Sequence, residues 1–460
     1  MNISIVGTGY VGLVSGACLA DRGHRVVCVD IDPAKIDMIN TARAPIHEAG
    51  LPEMLQATCG RQLTATTDLR GAVLASDLTM IAVGTPYNGE QIDLSQIEAA
   101  ATAIGEALRE KHGYHVVVVK STVVPGTTRT LVLPLLESAS GRVAGVDFGV
   151  GMNPEFLREG NAVADFMNPD RIVIGGIDSL SQDRIAELYE SFTGVDIVRT
   201  TTDTAEMTKY ASNALLATLI SFSNEVGNLC ATLETDVVEV MRGVHLDKRI
   251  SPLLADGSRI RPGLVDYLAA GCGYGGSCFP KDVRALIAFG DRSGSPMPLL
   301  DAVASTNEAQ PSRITDLIVR ELAARELALA GARVTVLGVA FKPGTDDTRE
   351  SPSGVVIDQL IAAGATVTAH DPIARLDTPG IHWADDLHEA VAGADAVAVM
   401  TAWPEYAGLA DKLSAGRQPV VVDARRFLDA KRFDSYTGVG LGRAPRPIGQ
   451  KQVPNAPLTA

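Results

Sequence analysis

The sequence has few cysteines, and none of them is spaced as a pair. The six thiols stand at positions 18, 28, 59, 230, 272 and 278, and no CxxC motif occurs. The common zinc and redox-pair sites need such a spacing, so no metal site is predicted. Scattered cysteines are typical of a reducing compartment, and we expect a cytoplasmic protein. Cys28 lies in an apolar run and is expected to be buried.

The chain is also poor in positive charge and in long apolar runs. It has 40 Lys and Arg against 55 Asp and Glu, a formal net charge of −15. General nucleic-acid and membrane-surface binders are basic, so neither partner is expected. The uncharged stretch 210–224 is shorter than the ~20 apolar residues that span a bilayer. The first residues show no basic region followed by an apolar one, so we expect no signal peptide.

Two segments have the alternating strand and helix pattern of α/β halves, and 460 residues allow about three domains. Continuous apolar strands of this kind indicate a parallel sheet covered on both faces. The predicted strands of the first half are Ile3–Val6, Arg25–Asp30, Leu78–Val83, Val116–Lys120 and Arg171–Gly175. Those of the second half are Val334–Val339, Ala365–His370, Ala396–Met400 and Val420–Asp423, with a helix at Gly354–Ala363.

Between the two halves the sequence is predominantly helical. Thr204–Met241 contains no proline and has apolar residues at helical spacing, which predicts one long helix, interrupted or kinked near Gly227 at most. Such a helix can bury a face against another subunit or against the chain's own domains, and both remain open. The fold class predicted is α/β: two Rossmann-like doubly wound parallel-sheet domains joined by a long central helix and a helical middle domain.

The first half carries GxGxxG as GTGYVG at residues 7–12, between an apolar strand and a helix. In a dinucleotide site Gly7 makes the tight turn, Gly9 admits the pyrophosphate and Gly12 lets helix pack on strand. Asp30, at the end of the next strand, can bind the adenosine ribose and would repel a 2′-phosphate. We therefore predict NAD rather than NADP; the alternative is a glycine turn without a ligand.

Two later loops follow strands of the same half. Thr85 lies in VGTP and Thr122 in STVVPG, and ligands of open α/β sheets sit beyond the carboxyl ends of strands. Both threonines are therefore placed to contact the cofactor or the reacting carbon. Capping of a following helix by the hydroxyl is the alternative role.

Four further motifs complete the pattern: NPEFLREG (153–160), MTKYASN (207–213), GYGGSCFPKD (273–282) and FKPGTDDTRES (341–351). The second sets Lys209 and Asn213 on one helix face. Together, and in this order, the motifs resemble the UDP-glucose 6-dehydrogenase family within the nucleotide-sugar 6-dehydrogenases, over residues 1–440. NPEFLREG followed by DFMNPDRIVI (165–174) resembles the UDP-glucose branch rather than the GDP-mannose branch.

The resemblance implies a four-electron oxidation of a sugar C6 alcohol to a carboxylate with two NAD⁺. Cys278 would capture the intermediate aldehyde as a thiohemiacetal, which loses a second hydride to give a thioester that water hydrolyses. Lys281 would lower the pKa of the thiol if it lies nearby. Glu155 resembles the acid–base residue of hydrolysis and Lys209 the residue that stabilises the oxyanion. Which group is the base at each step remains open.

By the same resemblance, each predicted site has a set of residues. The catalytic set is Cys278, Lys209, Glu155, Asn213, Asp282 and Thr122. The cofactor set is Gly7, Gly9, Tyr10, Val11, Gly12, Asp30, Lys35, Thr85, Thr122, Glu159, Cys278, Lys281 and Arg349. The substrate set is Glu155, Phe156, Leu157, Arg158, Glu159, Lys209, Asn213, Arg249, Tyr267, Leu268, Ala269, Ala270, Gly271, Gly275, Phe341, Lys342 and Arg425.

The segment Ser251–Val265 is longer than the family's usual connection before the cysteine loop. Arg249 matches the family arginine that reaches a neighbouring subunit, and Arg259 and Arg261 are alternatives for that role. The predicted domains are an NAD-binding domain (1–202), a central helical dimerisation domain with the cysteine loop (203–312), a UDP-binding domain (313–442) and a disordered tail (443–460). The resemblance implies a UDP-glucose substrate and a homodimer or larger homo-oligomer.

Three other functions remain as alternatives. A 6-dehydrogenase for a UDP-N-acetylhexosamine or GDP-mannose is the first, and the NPEFLREG and NPDR stretch weighs against it without excluding it. A two-electron β-hydroxyacid dehydrogenase would share the first α/β half, the helical middle and the pair Lys209 and Asn213, but has no need of Cys278. A non-catalytic NAD sensor need not keep Cys278, Lys209 and Glu155 together.

Overall fold

The computed structural model describes residues 1–413 and 418–442, so the predicted disordered tail at 443–460 lies outside the described residues. The chain divides into two compact units that interleave along the sequence. Unit 1 comprises 1–215, 276–301 and 342–347, and unit 2 comprises 216–275, 302–341 and 348–460.

Unit 1 is built on an eight-stranded sheet in the order β3-β2-β1-β4-β5-β6-β7-β8. Its strands are β1 (Asn2–Val6), β2 (Arg25–Val29), β3 (Leu63–Thr66), β4 (Leu78–Ile81), β5 (His115–Val119), β6 (Phe148–Met152), β7 (Arg171–Gly176) and β8 (Asp196–Thr200). The first six have the order of a dinucleotide-binding sheet, in which the order of strand addition reverses between the parallel strands β1 and β4. That reversal opens a crevice at the carboxyl ends of these strands.

Helices cover both faces of this sheet. On β5, Val116 and Val118 belong to one buried apolar cluster and Val117 and Val119 to another, as the two-residue period of a strand requires. The helices of the chain are α1 (Tyr10–Asp21), α2 (Pro33–Asn40), α3 (Leu51–Thr58), α4 (Leu69–Ala75), α5 (Ser95–Leu108), α6 (Leu133–Ser140), α7 (Ala162–Met167), α8 (Ser179–Ala186), α9 (Thr202–Cys230), α10 (Val237–His245), α11 (Phe279–Arg292), α12 (Pro298–Ala323), α13 (Pro352–Ala362), α14 (Leu387–Val391) and α15 (Leu409–Lys412).

One predicted strand breaks the parallel pattern. The strand predicted at Arg171–Gly175 exists as β7, but β7 runs antiparallel to β6, so the expectation of a purely parallel sheet is wrong at this edge. The connection from β6 to β7 contains the loop 153–161 and the short helix α7. Because β7 is antiparallel to β6, it begins at the end of the sheet where β6 ends. This arrangement keeps NPEFLREG at the carboxyl end of β6.

Unit 2 contains a six-stranded sheet in which every strand is parallel, as predicted. Its order is β11-β10-β9-β12-β13-β14, which repeats the dinucleotide-binding order of the first sheet. The strands are β9 (Arg333–Leu337), β10 (Thr366–His370), β11 (Ile381–Trp383), β12 (Ala396–Val399), β13 (Val420–Asp423) and β14 (Tyr436–Gly438). The structure thus confirms two doubly wound α/β sheets.

The long helix predicted over Thr204–Met241 is two helices. α9 ends at Cys230, α10 begins at Val237, and no break occurs near Gly227. The side chain of Asp236 caps α10 by accepting the backbone N–H of Val238, and the Val237 N–H donates to the Gly440 carbonyl at 2.9 Å. The intervening turn pairs with residues 440–442, a contact distant in sequence that helical periodicity does not reveal.

The longer segment before the cysteine loop folds as a small hairpin within unit 2. Leu253 pairs antiparallel with Arg259, and the Ile260 N–H donates to the Pro252 carbonyl at 3.0 Å. Among the residues described, no helix is both long and apolar enough to cross a membrane.

Candidate active site

The GTGYVG turn has the shape that a dinucleotide pyrophosphate requires. Gly7 has φ +99°, and a Cβ there would lie 2.6 Å from the Ala82 carbonyl oxygen. A Cβ on Gly12 would lie 1.9 Å from the Gly7 oxygen, so both positions exclude any other residue. A Cβ on Gly9 would meet nothing within 4 Å, and no side chain caps the start of α1. The helix N–H groups therefore face open space, where a phosphate fits.

Asp30 lies beyond β2 and is bound to the same turn. Its carboxylate accepts the Thr8 N–H at 2.8 Å, the Thr8 hydroxyl at 2.6 Å and the Asp32 N–H at 3.1 Å. Burial raises the pKa of Asp30, but these hydrogen bonds and the nearby Lys35 ammonium outweigh burial and lower it. Asp30 is therefore a fixed, ionised acceptor beside the pyrophosphate turn, which suits ribose hydroxyls and opposes a 2′-phosphate.

Replacement of this carboxylate should weaken NAD binding and relax cofactor choice. We expect Asp30→Asn to raise the Kd for NADH about 10-fold, because a charged hydrogen bond is lost. The ratio of the Kd for NADPH to the Kd for NADH should also become smaller. Fluorescence titration with both reduced cofactors measures both effects. Thr8→Val is the control, since it removes one hydrogen bond to Asp30 and leaves the charge. Unchanged NADH binding in Asp30→Asn would rule out the ribose contact.

The loops after β4 and β5 meet at the same edge of the sheet. The Thr85 hydroxyl donates to the Thr122 carbonyl at 2.8 Å, so Thr85 fixes the loop that carries Thr122. Thr85 is buried and Thr122 is half-buried. The Thr85 hydroxyl is thus a support for the neighbouring loop and does not cap a helix.

Cys278 is the residue before the first turn of α11, in the N-cap position. Burial raises the pKa of its thiol to about 11; the Lys209 ammonium opposes this effect, and the carboxylates of Glu155, Asp282 and Glu159 add to it. The resting thiol is therefore protonated near neutral pH, and a neighbouring group must accept its proton before it attacks a carbonyl.

Lys209 and Glu155 form a buried ion pair beside this thiol. The Lys209 Nζ lies 2.8 Å from Glu155 Oε1, and both side chains are at most 5% exposed. Glu155 also accepts the Leu157 N–H at 2.6 Å. Burial raises the pKa of Glu155, but Lys209 and this hydrogen bond bring it below its usual value. Burial lowers the pKa of Lys209, but Glu155, Cys278 and Asp282 bring it above its usual value.

Asn213 lies one turn along α9 from Lys209 and binds a different carboxylate. Its Nδ2 donates to Asp282 Oδ2 at 2.6 Å, and the Lys281 Nζ donates to Asp282 Oδ1 at 2.6 Å. The predicted effect of Lys281 on the thiol is therefore not what the structure shows. The ammonium that lowers the pKa of Cys278 belongs to Lys209, whereas Lys281 is paired with Asp282.

Glu159 lies on the other side of the cysteine loop. The Ser277 hydroxyl donates to Glu159 Oε1 at 2.7 Å and lies 3.6 Å from the Cys278 sulfur. Residues 153–158 have no regular secondary structure, so the two glutamates do not share a helix face. Next to Glu159, the Gly160 N–H is bound by Glu48 Oε2 at 2.7 Å and by the Tyr10 hydroxyl at 2.5 Å. The cofactor turn and this loop are thereby joined.

The remaining members of NPEFLREG frame the same cluster. The Phe156 ring is covered by the Arg171 guanidinium at 3.8 Å and faces the Lys209 ammonium at 5.7 Å. Arg158 is exposed and forms an ion pair with Asp165 at 2.6 Å. Unit 1 therefore joins five of the six predicted catalytic residues through direct polar contacts or electrostatic interaction, and Thr122 lies in the loop after β5.

Unit 2 gathers the predicted nucleotide residues around Arg425. The Arg425 guanidinium donates to the carbonyls of Met400 at 2.7 Å, Gly273 at 3.3 Å and Phe341 at 3.3 Å. Gly271 lies against Arg425, since a Cβ there would lie 3.4 Å from Nη1. These bonds fix Gly273 and the loop after β9 at the carboxyl edge of the second sheet.

The other nucleotide residues lie on two loops. Residues 267–271 follow the short 3₁₀ helix Gly263–Tyr267, and the Gly271 N–H donates to Asn224 Oδ1 at 2.7 Å. A Cβ on Gly275 would lie 2.3 Å from the Glu350 carbonyl, so the chain itself demands glycine there. Arg349, beside Glu350, is exposed on the loop before α13. Lys342 belongs to unit 1, where burial lowers its pKa and Glu159 opposes that effect.

The three arginines considered for a neighbouring subunit have different surroundings. Arg249 is 89% exposed and pairs with Asp247 two residues before it. Arg259 is bound within its own hairpin, to the carbonyls of Leu246 and Ser251, at 2.9 and 2.5 Å. Arg261 pairs with Asp266 on the surface. The side chain of Arg249 is more exposed than that of Arg261, which is 63% exposed.

Sequence reasoning missed two residues of the cluster. Lys120 ends the strand predicted at Val116–Lys120 and is 4% exposed, although lysine is rarely buried. The signal was a lone charge at the end of a run of four valines, two residues before Thr122. Ser277 stood inside the cysteine motif, but nothing in the sequence pointed to its bond with Glu159.

A dinucleotide-binding sheet beside a half-buried thiol, a buried ammonium group and carboxylates defines a dehydrogenase site that also contains a potential nucleophile. Sequence models of the UDP-glucose/GDP-mannose dehydrogenase family match all three parts of the chain: the NAD binding domain at 1–193, the central domain at 203–309 and the UDP binding domain at 335–430. The chain belongs to this family, and its cofactor is NAD.

Similar proteins agree with this assignment. UDP-glucose 6-dehydrogenase AglM of Haloferax volcanii is 44% identical over 95% of this chain and 99% of that protein. GDP-mannose 6-dehydrogenase of Azotobacter vinelandii is 39% identical over 95% of this chain and 100% of that protein. A solved UDP-glucose dehydrogenase from Pyrobaculum islandicum superposes with a TM-score of 0.86 at 40% identity, covering 95% of this chain and 97% of that one.

Proposed function

We propose that this chain oxidises the C6 alcohol of UDP-glucose to the carboxylate of UDP-glucuronate, with Cys278 as the covalent nucleophile. One UDP-glucose, two NAD⁺ and one water give UDP-glucuronate, two NADH and three protons. The observation that carries this function is the half-buried Cys278 thiol beside the buried pair of Lys209 and Glu155. A two-electron dehydrogenase needs no thiol at that place.

The residues divide the chemistry among them. The GTGYVG turn and Asp30 would hold NAD⁺, which would supply the hydride acceptor for each of the two oxidations. Lys209 holds the negative charge that develops on the C6 oxygen. Cys278 forms a C–S bond with the aldehyde carbon, and the adduct becomes a thioester when the second hydride leaves. Water then breaks the C–S bond with Glu155 as base, which returns the thiol and releases the acid.

The other predicted site residues support these steps. Asn213 binds the sugar or the oxyanion, and Asp282 and Thr122 hold the water. Glu159 borders the nicotinamide side, and Lys281 lies near the cofactor. The residues predicted to bind the UDP are Phe341 and Arg425 of unit 2 and Lys342 of unit 1. The functional division is 1–202 for NAD, 203–312 for the central domain with the cysteine and 313–442 for UDP.

Two further features of the setting belong to the proposal. Leu215, Phe222 and Leu229 are spaced seven residues apart on α9 and are 49–61% exposed, which favours burial of this stripe against a second copy of the chain.

A catalytic thiol has to stay reduced, and the six cysteines form no disulfide, which favours the cytoplasm as the compartment of this protein.

A panel of nucleotide sugars tests the substrate. We expect kcat/KM with NAD⁺ to be highest for UDP-glucose, with the acid confirmed by mass spectrometry. GDP-mannose is the second candidate, because a GDP-mannose 6-dehydrogenase is 39% identical over its full length. A higher kcat/KM for GDP-mannose or a UDP-N-acetylhexosamine would overturn the substrate and leave the reaction class in place.

A further inference from the structure

A buried lysine lies between the two strand ends that carry the proposed acid–base groups. Lys120 follows β5 and Asn153 follows the neighbouring strand β6, and they are 4% and 1% exposed. The Lys120 Nζ donates to Asn153 Oδ1 at 2.8 Å. The Tyr189 hydroxyl donates to the same oxygen, and Asn153 Nδ2 donates to the Val173 carbonyl at 2.8 Å. Both polar atoms of the Asn153 side chain are thus hydrogen-bonded, with Lys120 as the charged partner.

This bond joins two loops whose backbones are already fixed to the sheet. The Lys120 N–H donates to the Ile81 carbonyl at 2.8 Å, and the Asn153 N–H donates to the Val119 carbonyl at 2.9 Å. Two residues after Lys120 comes Thr122, and two residues after Asn153 comes Glu155. A shift of the Lys120 side chain would therefore change the positions of both loops.

Lys120 also places a second positive charge beside Glu155. The charged groups that act on it are Glu155 and Lys209, and burial lowers its pKa to about 8. At neutral pH it is therefore mostly protonated, and together with Lys209 it favours the ionised form of Glu155. A buried carboxylate without a paired cation takes up a proton. When the Lys209 charge is engaged by a substrate oxygen, Lys120 is the cation that remains for Glu155.

We propose that Lys120 is a positioning residue that joins the Thr122 and Glu155 loops through Asn153 and keeps Glu155 ionised while Lys209 serves the substrate. The catalytic part of this inference rests on the proposed function. Its electrostatic part does not, because the ionisation of Glu155 can be measured without substrate.

The test compares variants of two buried lysines. Lys120→Met removes both the hydrogen bond to Asn153 and the positive charge. Lys120→Gln keeps a hydrogen-bond donor for Asn153 and removes only the charge. Lys111→Met is the matched control: Lys111 is 8% exposed and binds the carbonyls of Val73, Leu74 and Ser76 at the end of α4. We measure kcat against pH and the pKa of Glu155 by infrared spectroscopy, using the carboxylate band that Glu155→Gln removes.

Loss of the Lys120 charge should raise the pKa of Glu155, so a base that must be ionised works only at higher pH. We expect the acid limb of kcat to move up by about 1 pH unit in both Lys120 variants, with kcat about 10-fold lower on that limb. The Lys111→Met profile should match the unaltered protein. Lys120 variants that fold but keep the original Glu155 pKa and pH profile would overturn the inference. No turnover of UDP-glucose by the unaltered protein would instead refute the proposed function. The infrared measurement would still show whether the Lys120 charge lowers the pKa of Glu155.

Discussion

Cys278→Ser should abolish formation of the acid while NAD binding stays intact. A serine hydroxyl is far less nucleophilic than a thiolate, and no thioester can form, so we expect the overall rate to fall on the order of 10³-fold or more. The first oxidation, in which one hydride leaves C6 and the aldehyde forms, needs no thiol. This step should persist in a single turnover. Rapid-quench measurement of NADH and of UDP-glucuronate separates the two steps, and NADH fluorescence titration measures cofactor binding.

Cys59→Ser is the control for the cysteine change. Cys59 is also a partly exposed cysteine of unit 1, but it lies at the end of α3 and its sulfur contacts the Ile39 carbonyl at 3.1 Å. Its replacement should leave both hydride transfers unchanged. Full production of UDP-glucuronate by Cys278→Ser would exclude the thioester mechanism.

Lys209→Met should impair both catalysis and stability. It leaves the Glu155 carboxylate buried without its closest cation, which costs about 3 to 5 kcal/mol of unfolding free energy. The same change removes the ammonium that lowers the pKa of Cys278, so alkylation of this thiol by iodoacetamide at a fixed pH should become slower. Urea unfolding and the alkylation rate, followed by mass spectrometry, test the two effects.

An exposed ion pair supplies the comparison. Arg184 and Glu187 lie 3.1 Å apart on the surface, and Arg184→Met should change the unfolding free energy by less than about 1 kcal/mol. An equally small effect of Lys209→Met, with an unchanged alkylation rate, would contradict the assigned role of the buried pair.

The pH dependence of stability follows from the directions of the two pKa shifts. Glu155 has a lowered pKa when folded, so its contribution is present at neutral pH and is lost as the pH falls through that lowered value. Lys209 has a raised pKa when folded, so its contribution is lost only as the pH rises through the raised value. Lys209→Met should therefore destabilise the protein most between these limits and least in strong acid.

The α/β halves could be predicted because their signals are local. Apolar strands such as residues 334–337, followed by helices, appear in any short window of the sequence. The break between α9 and α10 could not be predicted, since it depends on pairing of residues 235–237 with residues 440–442. The antiparallel pairing of β7 depends on how the chain returns after β6, which strand propensity does not specify.

The same division between local and distant information applies to the site. The motif resemblance predicted Cys278, Lys209 and Glu155, which the structure places in mutual electrostatic contact. It did not predict which cation acts on the thiol, because Lys281 is close to Cys278 in sequence whereas Lys209 is close only in the fold. Lys120 was missed for a related reason: its partner Asn153 comes from another strand.

The most direct test of the central claim is the number of NADH molecules formed per UDP-glucose when the sugar is limiting and NAD⁺ is in excess. Capture of the aldehyde by Cys278 and its second oxidation predict two NADH per sugar and complete conversion to UDP-glucuronate. One NADH per sugar, with aldehyde that a hydrazine reagent traps, would contradict the proposed role of the thiol.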